Sequence, residues 1–494
     1  MWTEKRLAGM VFIVLLACYA YFPPRWAEWN QNSRFDLTLA LVEQGTIRID
    51  DYYQNTGDYA VYDGHYYTDK APGTSLLGAP AYFVFRALAD TPPARQLLLR
   101  LSQSQALAGT LRQGGTGLLE DKVYFAIALY VTTFATVSVP SAALGAVLFL
   151  FLGRLVPPAG WRLILALGYG LATIVFPYST VFYGHQIAAV LLFCAFVLLY
   201  RIRLAELSTR WLWLAGALGG LAVLTEFPAL FPLGLLGLYA LWFLPRKWEI
   251  VKLALGGLPF AVVLGVYNAA AFGSPFASSY RYLGRFPEIS NTGVLGFSQP
   301  SWEAVWGVTF SPYRGLFFFS PFLLLVIPGL VYLWRDRRWR AEALLCLGLI
   351  AAQLALLSAW YDWRGGFAIG PRNLLNIQPF FMLPVAAAVW AWRPAERGTG
   401  GRPALLGLAG AALLVSFVMV WVASVSGQDF PPIVIFNPWF DFFWPKFAAG
   451  DITRNLGMVA GLEAWLSLLP LLLLLGGALW IAFKTRRWSP ADAA

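Results

Sequence analysis

The chain has 494 residues, 59% of them hydrophobic and 13% charged, with a mean hydropathy of +0.61. An ordinary soluble domain is about a quarter charged, so this composition excludes disorder, collagen-like fibres and a small disulfide scaffold, and argues against a soluble enzyme. The formal charge of +10 rests on 36 Lys and Arg against 26 acidic residues. Its meaning depends on where those cations fall. The three cysteines lie in apolar runs and imply no disulfide framework. Two histidines are too few for a zinc site built on several imidazoles.

Taken in chain order, hydropathy predicts an all-α polytopic membrane protein forming a single domain over 1–494. Twelve spans are expected, near 7–22, 124–153, 163–182, 186–200, 211–226, 227–244, 250–272, 316–334, 343–360, 374–392, 404–424 and 463–483. The first apolar run continues past Cys18 through Tyr21 and Phe22, as a span rather than a cleaved lipoprotein signal. Alternate loops are basic: Lys5 and Arg6; Arg154 and Arg162; Arg201, Arg203 and Arg210; Arg246 and Lys247; Arg335 to Arg340; Arg393 to Arg402; and Lys484 to Arg487. The positive-inside rule makes that side cytoplasmic, with both termini on it, in a cell (inner or plasma) membrane. The basic balance is therefore topological, and no nucleic-acid partner is expected.

Four longer segments then face outward, at 23–123, 273–315, 361–373 and 425–462. Within the first, Thr74 to Ala89 is apolar but short and contains Pro80, which suits an interfacial or re-entrant helix. The spans are nearly free of charge, Glu226 at a helix end being the main exception, whereas a transporter should carry ionisable groups along its path. A lipid or oligosaccharide transporter is thus the weaker alternative, and chemistry is expected in the outer loops.

The stretch from Asn30 to Gly73 holds seven acids, among them Asp36, Glu43, Asp50, Asp58 and Asp69, together with Arg34, His65, Lys70 and six tyrosines from Tyr52 to Tyr67. Carboxylates can deprotonate or hold a hydroxyl, and fixed cations can stabilise a departing phosphate. Helical spacing places Asp36 and Glu43 on the polar flank of a short helix. Asp58 follows Gly57 and suits a loop aimed at a pocket. Asp69 and Lys70 precede a rigid turn into the apolar helix, at the depth of a lipid phosphate. A second constellation, WYDWRGGFAIGPRN at 360–373, joins Trp363, Arg364 and Arg372 to glycines that permit close backbone approach. Arg314 opens a span from the outside. His65, Tyr67, His185 and Trp363 complete the substrate-contact candidates. A divalent metal near the clustered acids is left open, although no ligand spacing marks one.

These residues resemble the polytopic glycosyltransferases of the GT-C fold, in particular glycosyltransferase family 39. SRFDLTLALVEQG at 33–45 looks like that family's arginine-bearing outer helix. TDKAPGTSLLGAP at 68–80 looks like its acid-lysine-proline stretch. The resemblance implies transfer of a sugar from a polyprenyl-phosphate donor to a hydroxyl of a glycan, lipid or protein, with inversion at the sugar carbon, and it matches Lys70 to the lysine that contacts the lipid phosphate. Arg34, Arg314 and Arg372 are the further phosphate-binding candidates. The family's catalytic acid lies just before the arginine, where this chain reads Asn30 to Ser33. Glu28 is the nearest carboxylate upstream, and Asp50, Asp58 and Asp69 are the candidate bases. The missing acid also leaves a non-catalytic lipid-carrier-binding scaffold as an alternative.

Overall fold

A computed structural model describes residues 3–25, 28–102, 122–291, 296–393 and 402–486. Among the described residues the protein is mostly helical, with one two-stranded hairpin. Among the described residues six helical segments are long and apolar enough to cross a membrane: Val123–Leu152, Gly184–Arg203, Lys247–Phe272, Arg340–Ala359, Arg372–Trp392 and Pro403–Val425. Shorter apolar helices occupy Phe227–Phe243, Pro321–Arg335 and Ala464–Ala478.

The first helix, α1 (Glu4–Ala20), begins at Thr3, whose hydroxyl caps the Arg6 amide. The chain then enters α2 (Trp29–Leu39), which is buried on nearly every side. That corrects the expected polar flank: Asp36 is enclosed, one of its oxygens accepting from Asn55 Nδ2 at 3.0 Å, and burial lifts its carboxyl well above the usual range. Helix α2 has no side-chain cap at Glu28. That carboxylate turns away from the helix and accepts from the Phe430 amide at 3.1 Å instead.

The tyrosine-rich stretch forms an antiparallel hairpin of β1 (Tyr59–Tyr62) and β2 (His65–Thr68), closed by Asp63 and Gly64, both at positive φ. Tyr59 pairs with Thr68 at its open end and Tyr62 with His65 at the turn. The apolar stretch after Lys70 folds as α3 (Gly73–Ala89) with Pro80 inside. It buries Thr74, Ser75, Gly78 and Tyr82 and exposes the apolar side chains of Phe83, Val84 and Leu88.

The span expected at 163–182 is interrupted. Helix α4 (Ala159–Leu171) gives way to a single turn, α5 (Val175–Tyr178), with the Thr173 hydroxyl accepting the Val175 amide. Unwinding here carries Tyr183 to the start of α6 (Gly184–Arg203). A Cβ at Gly184 would fall 2.4 Å from the Thr225 carbonyl and 2.7 Å from Glu226 Oε1. Only glycine lets α6 sit that close to the end of α7 (Leu212–Thr225). The stretch expected to span 316–334 breaks similarly at Ser320 and Pro321. The largest core cluster gathers α4 to α6 with Val326–Arg335, Arg340–Ala359 and Gln378–Trp392.

Candidate active site

A cavity of about 490 Å³ opens where α2, the hairpin, the start of α6, the end of α7 and the segment 360–373 meet. Leu283, Phe286, Ile289, Leu356, Ile433 and Phe442 supply apolar wall, and most of the polar lining is charged. Its geometry follows from three constructions.

The first surrounds Lys70. Its ammonium lies 2.8 Å from Asp58 Oδ2 and 2.9 Å from Asp69 Oδ2. The hairpin register explains this: Asp58 precedes β1 and Asp69 follows β2, so pairing Tyr59 with Thr68 brings both acids to one end. The Thr68 hydroxyl caps the Lys70 amide at 3.2 Å, and Ser279 Oγ donates to the Asp69 carbonyl at 2.7 Å. Burial opposes the lysine's charge, but Asp58 and Asp69 outweigh it and hold Lys70 above its ordinary range. Burial also lifts Asp69, against the pull of Lys70.

The second is a closed network at the cavity floor. Glu226 Oε1 pairs with Arg34 Nη2 and lies 2.7 Å from His185 Nδ1. Arg34 also donates to Asn30 Oδ1 at 3.2 Å and to the carbonyls of Ala71 and Thr225. With its guanidinium so committed, Arg34 holds α2, α3 and α7 together, and is a structural cation more than a free phosphate ligand.

The third is Arg372. It lines the cavity with its guanidinium 5.5 Å from the Tyr183 ring centroid. Among the described residues it makes no ion pair, and its Nε is buried without a partner. The loop that carries it is set by Arg314, which lies behind the cavity wall instead of in it. Arg314 donates to the Arg364 carbonyl at 3.0 Å and the Gly366 carbonyl at 2.8 Å. Gly365 and Gly366, at φ of +68° and +63°, make the turn that offers those carbonyls. The phosphate role expected of Arg314 thus passes to positioning. Trp363 packs edge-on against Tyr313 and so close to Gly307 that a Cβ added there would fall 2.1 Å from its ring, and it does not line the cavity.

Asp50, His65 and Tyr67 also lie elsewhere. His65 Nδ1 is 2.8 Å from Asp50 Oδ2, whose other oxygen accepts from the Tyr66 amide at 2.7 Å, in a half-exposed pair at the turn end of the hairpin. Tyr67 is buried with its ring against Phe272. Among the described residues no group of three or more His, Cys, Asp or Glu could hold a metal ion, so the possibility of a divalent cation gains no ligand set.

The cavity also contains residues that the sequence does not mark as candidate bases or ligands. Glu28 is buried in its wall, and burial raises its carboxyl to about 7, opposed by the Phe430 amide and Arg25. Asp362 is raised as well, first by burial and against Arg372. Tyr183 and Gln353 complete the wall. Signals for two of these were present: Glu28 is the carboxylate next before Arg34, and Gln353 is the lone polar residue in the middle of an apolar helix. No protein-family model matches this chain and no curated protein does, so a functional reading rests on the cavity itself.

Proposed function

We propose that the protein is an integral-membrane glycosyltransferase that moves a sugar from a polyprenyl-phosphate carrier to an acceptor hydroxyl at the outer face of a cell membrane. In this reading the chain crosses the bilayer twelve times with both termini cytoplasmic, and the cavity opens outward. The observation that carries it is that Lys70 and Arg372, whose guanidinium has no ion-pair partner among the described residues, line one cavity with apolar walls. Arg372, together with the third ammonium donor of Lys70 that Asp58 and Asp69 leave over, beside apolar surface suits a lipid-borne phosphate.

The transfer is written as one displacement. The acceptor oxygen attacks the anomeric carbon, its proton passes to a carboxylate, the bond from that carbon to the phosphate oxygen breaks, and the electron pair leaves with the lipid phosphate. Lys70 and Arg372 meet the charge that develops on that oxygen, so their stabilisation grows toward the transition state. Glu28 is the carboxylate best matched to the proton: it is buried, burial raises its pKa to about 7, and its Oε1 accepts from the Phe430 amide. Asp58 and Asp69 fix the lysine. An attack opposite the leaving phosphate inverts the sugar carbon, as the resemblance to family 39 implies.

The test is transfer from a panel of decaprenyl-phosphate monosaccharides by the full chain in liposomes. Release of bare decaprenyl phosphate with a glycosylated acceptor supports the proposal. Binding of the lipid without turnover across donors and acceptors would favour a non-catalytic carrier-binding scaffold.

A further inference from the structure

Four buried side-chain atoms in the cavity wall have no hydrogen-bond partner among the described residues: Tyr183 Oη, His185 Nε2, Gln353 Oε1 and Arg372 Nε. Buried polar groups are ordinarily paired, and an unpaired one is costly. Arg372 Nε and the Tyr183 hydroxyl can both donate to a phosphate. The other two cannot.

Their chemistry is fixed by what they already hold. Gln353 Nε2 donates to the Asn373 carbonyl at 2.8 Å, so the amide nitrogen faces that acceptor and its oxygen is the unpaired atom. His185 faces Glu226 through Nδ1 at 2.7 Å. Arg34 already balances that carboxylate, so the ring donates through Nδ1–H as neutral imidazole and leaves Nε2 as a lone-pair acceptor. Two acceptors therefore stand in the same cavity wall as Arg372, the cation that makes no ion pair among the described residues. Phosphate ester oxygens only accept, and a lipid tail offers nothing. A polyhydroxylated ring supplies the missing donors.

We infer that His185 Nε2 and Gln353 Oε1 accept hydrogen bonds from two hydroxyls of the sugar carried on the lipid phosphate, forming a hydroxyl-reading subsite beside Arg372. This rests on the proposed glycosyltransferase reading and deepens it: the cations bind the carrier, and these two residues select its cargo. Glu226 and Arg34 act through His185, as the groups that fix its tautomer.

The experiment measures affinity of the full chain in nanodiscs for bare decaprenyl phosphate and for its mannosyl, glucosyl, galactosyl and arabinosyl forms. The wild type should bind at least one glycosylated form about tenfold or more tighter than the bare lipid. His185→Phe and Gln353→Leu, which lie on different helices, should each remove about tenfold of that preference while bare-lipid affinity stays within about twofold. His185→Gln, which keeps an acceptor, should recover part of the loss. A second arm leaves the protein untouched: deoxygenating the preferred sugar one hydroxyl at a time should weaken wild-type binding about tenfold at two positions. Preference retained in both variants, or indifference to every deoxygenation, would overturn the inference. Bare lipid binding without preference for any sugar would overturn this inference alone, whereas failure of bare decaprenyl phosphate to bind would overturn the phosphate reading together with it.

Discussion

The two ends of one short hairpin hold the most instructive contrast in the molecule. At its turn, Asp50 and His65 form a half-exposed pair, with side chains 38% and 35% accessible. At its open end, Asp58 and Asp69 grip Lys70, all three side chains less than a fifth accessible. In sequence the two sets interleave and look alike. Antiparallel pairing separates them by the length of the strands, about 10 Å at ~3.3 Å per residue. Only the open end faces the cavity. A solvated ion pair of the first kind is worth little, whereas charges enclosed as in the second are strongly coupled to whatever enters.

That contrast can be tested from its strongest side. Replacing Arg372 or Lys70 by alanine should lower transfer from a polyprenyl-phosphate donor by about 100-fold or more, as for removal of a group that stabilises developing charge. Both variants should also raise the concentration of bare lipid phosphate needed for binding. Next in size, Glu28→Gln should lower turnover about 100-fold. In the wild type the Glu28 base must be ionised, so turnover should rise with pH through about 7.

The same group makes a stability prediction of opposite sense. Its folded pKa is raised above its usual 4.5, to about 7, so its contribution is present at low pH and is lost as pH rises through about 7. The melting temperature of the wild type should therefore decline between pH 5 and 8 by more than that of Glu28→Gln. A flat difference between the two would remove Glu28 from this account. The smallest effect belongs to the turn end: Asp50→Asn and His65→Ala should change transfer by less than about twofold. A large loss in either would erase the distinction between the two ends.

Much of this was legible in the chain. Apolar runs marked the membrane character, the loop after Gly57 marked Asp58, and the acid-lysine-proline stretch and the glycine-arginine segment marked Asp69, Lys70 and Arg372 as candidates, all of which line one cavity. What sequence could not supply was register and burial. Nothing in the residues from Asp50 to Asp69 says which acids end up beside Lys70; the Tyr59–Thr68 pairing decides it. Arg314 and Arg372 read alike until backbone carbonyls are seen to occupy the first, while Arg372 Nε is buried without a partner among the described residues. Helical periodicity gave α2 a polar face because it cannot register that neighbouring loops close over it, as they do over Asp36. The breaks near Thr173 and Ser320 depend on local hydroxyl and proline chemistry that hydropathy averages away.

The central claim, that Lys70 and Arg372 together receive a lipid-borne phosphate, is tested most directly by a structure of the protein in nanodiscs with decaprenyl phosphate. Phosphate density is expected within hydrogen-bond reach of both cations, with the isoprenoid chain along the apolar wall near Phe286 and Ile433. Lipid phosphate bound away from these two side chains, with the cavity unchanged, would contradict it.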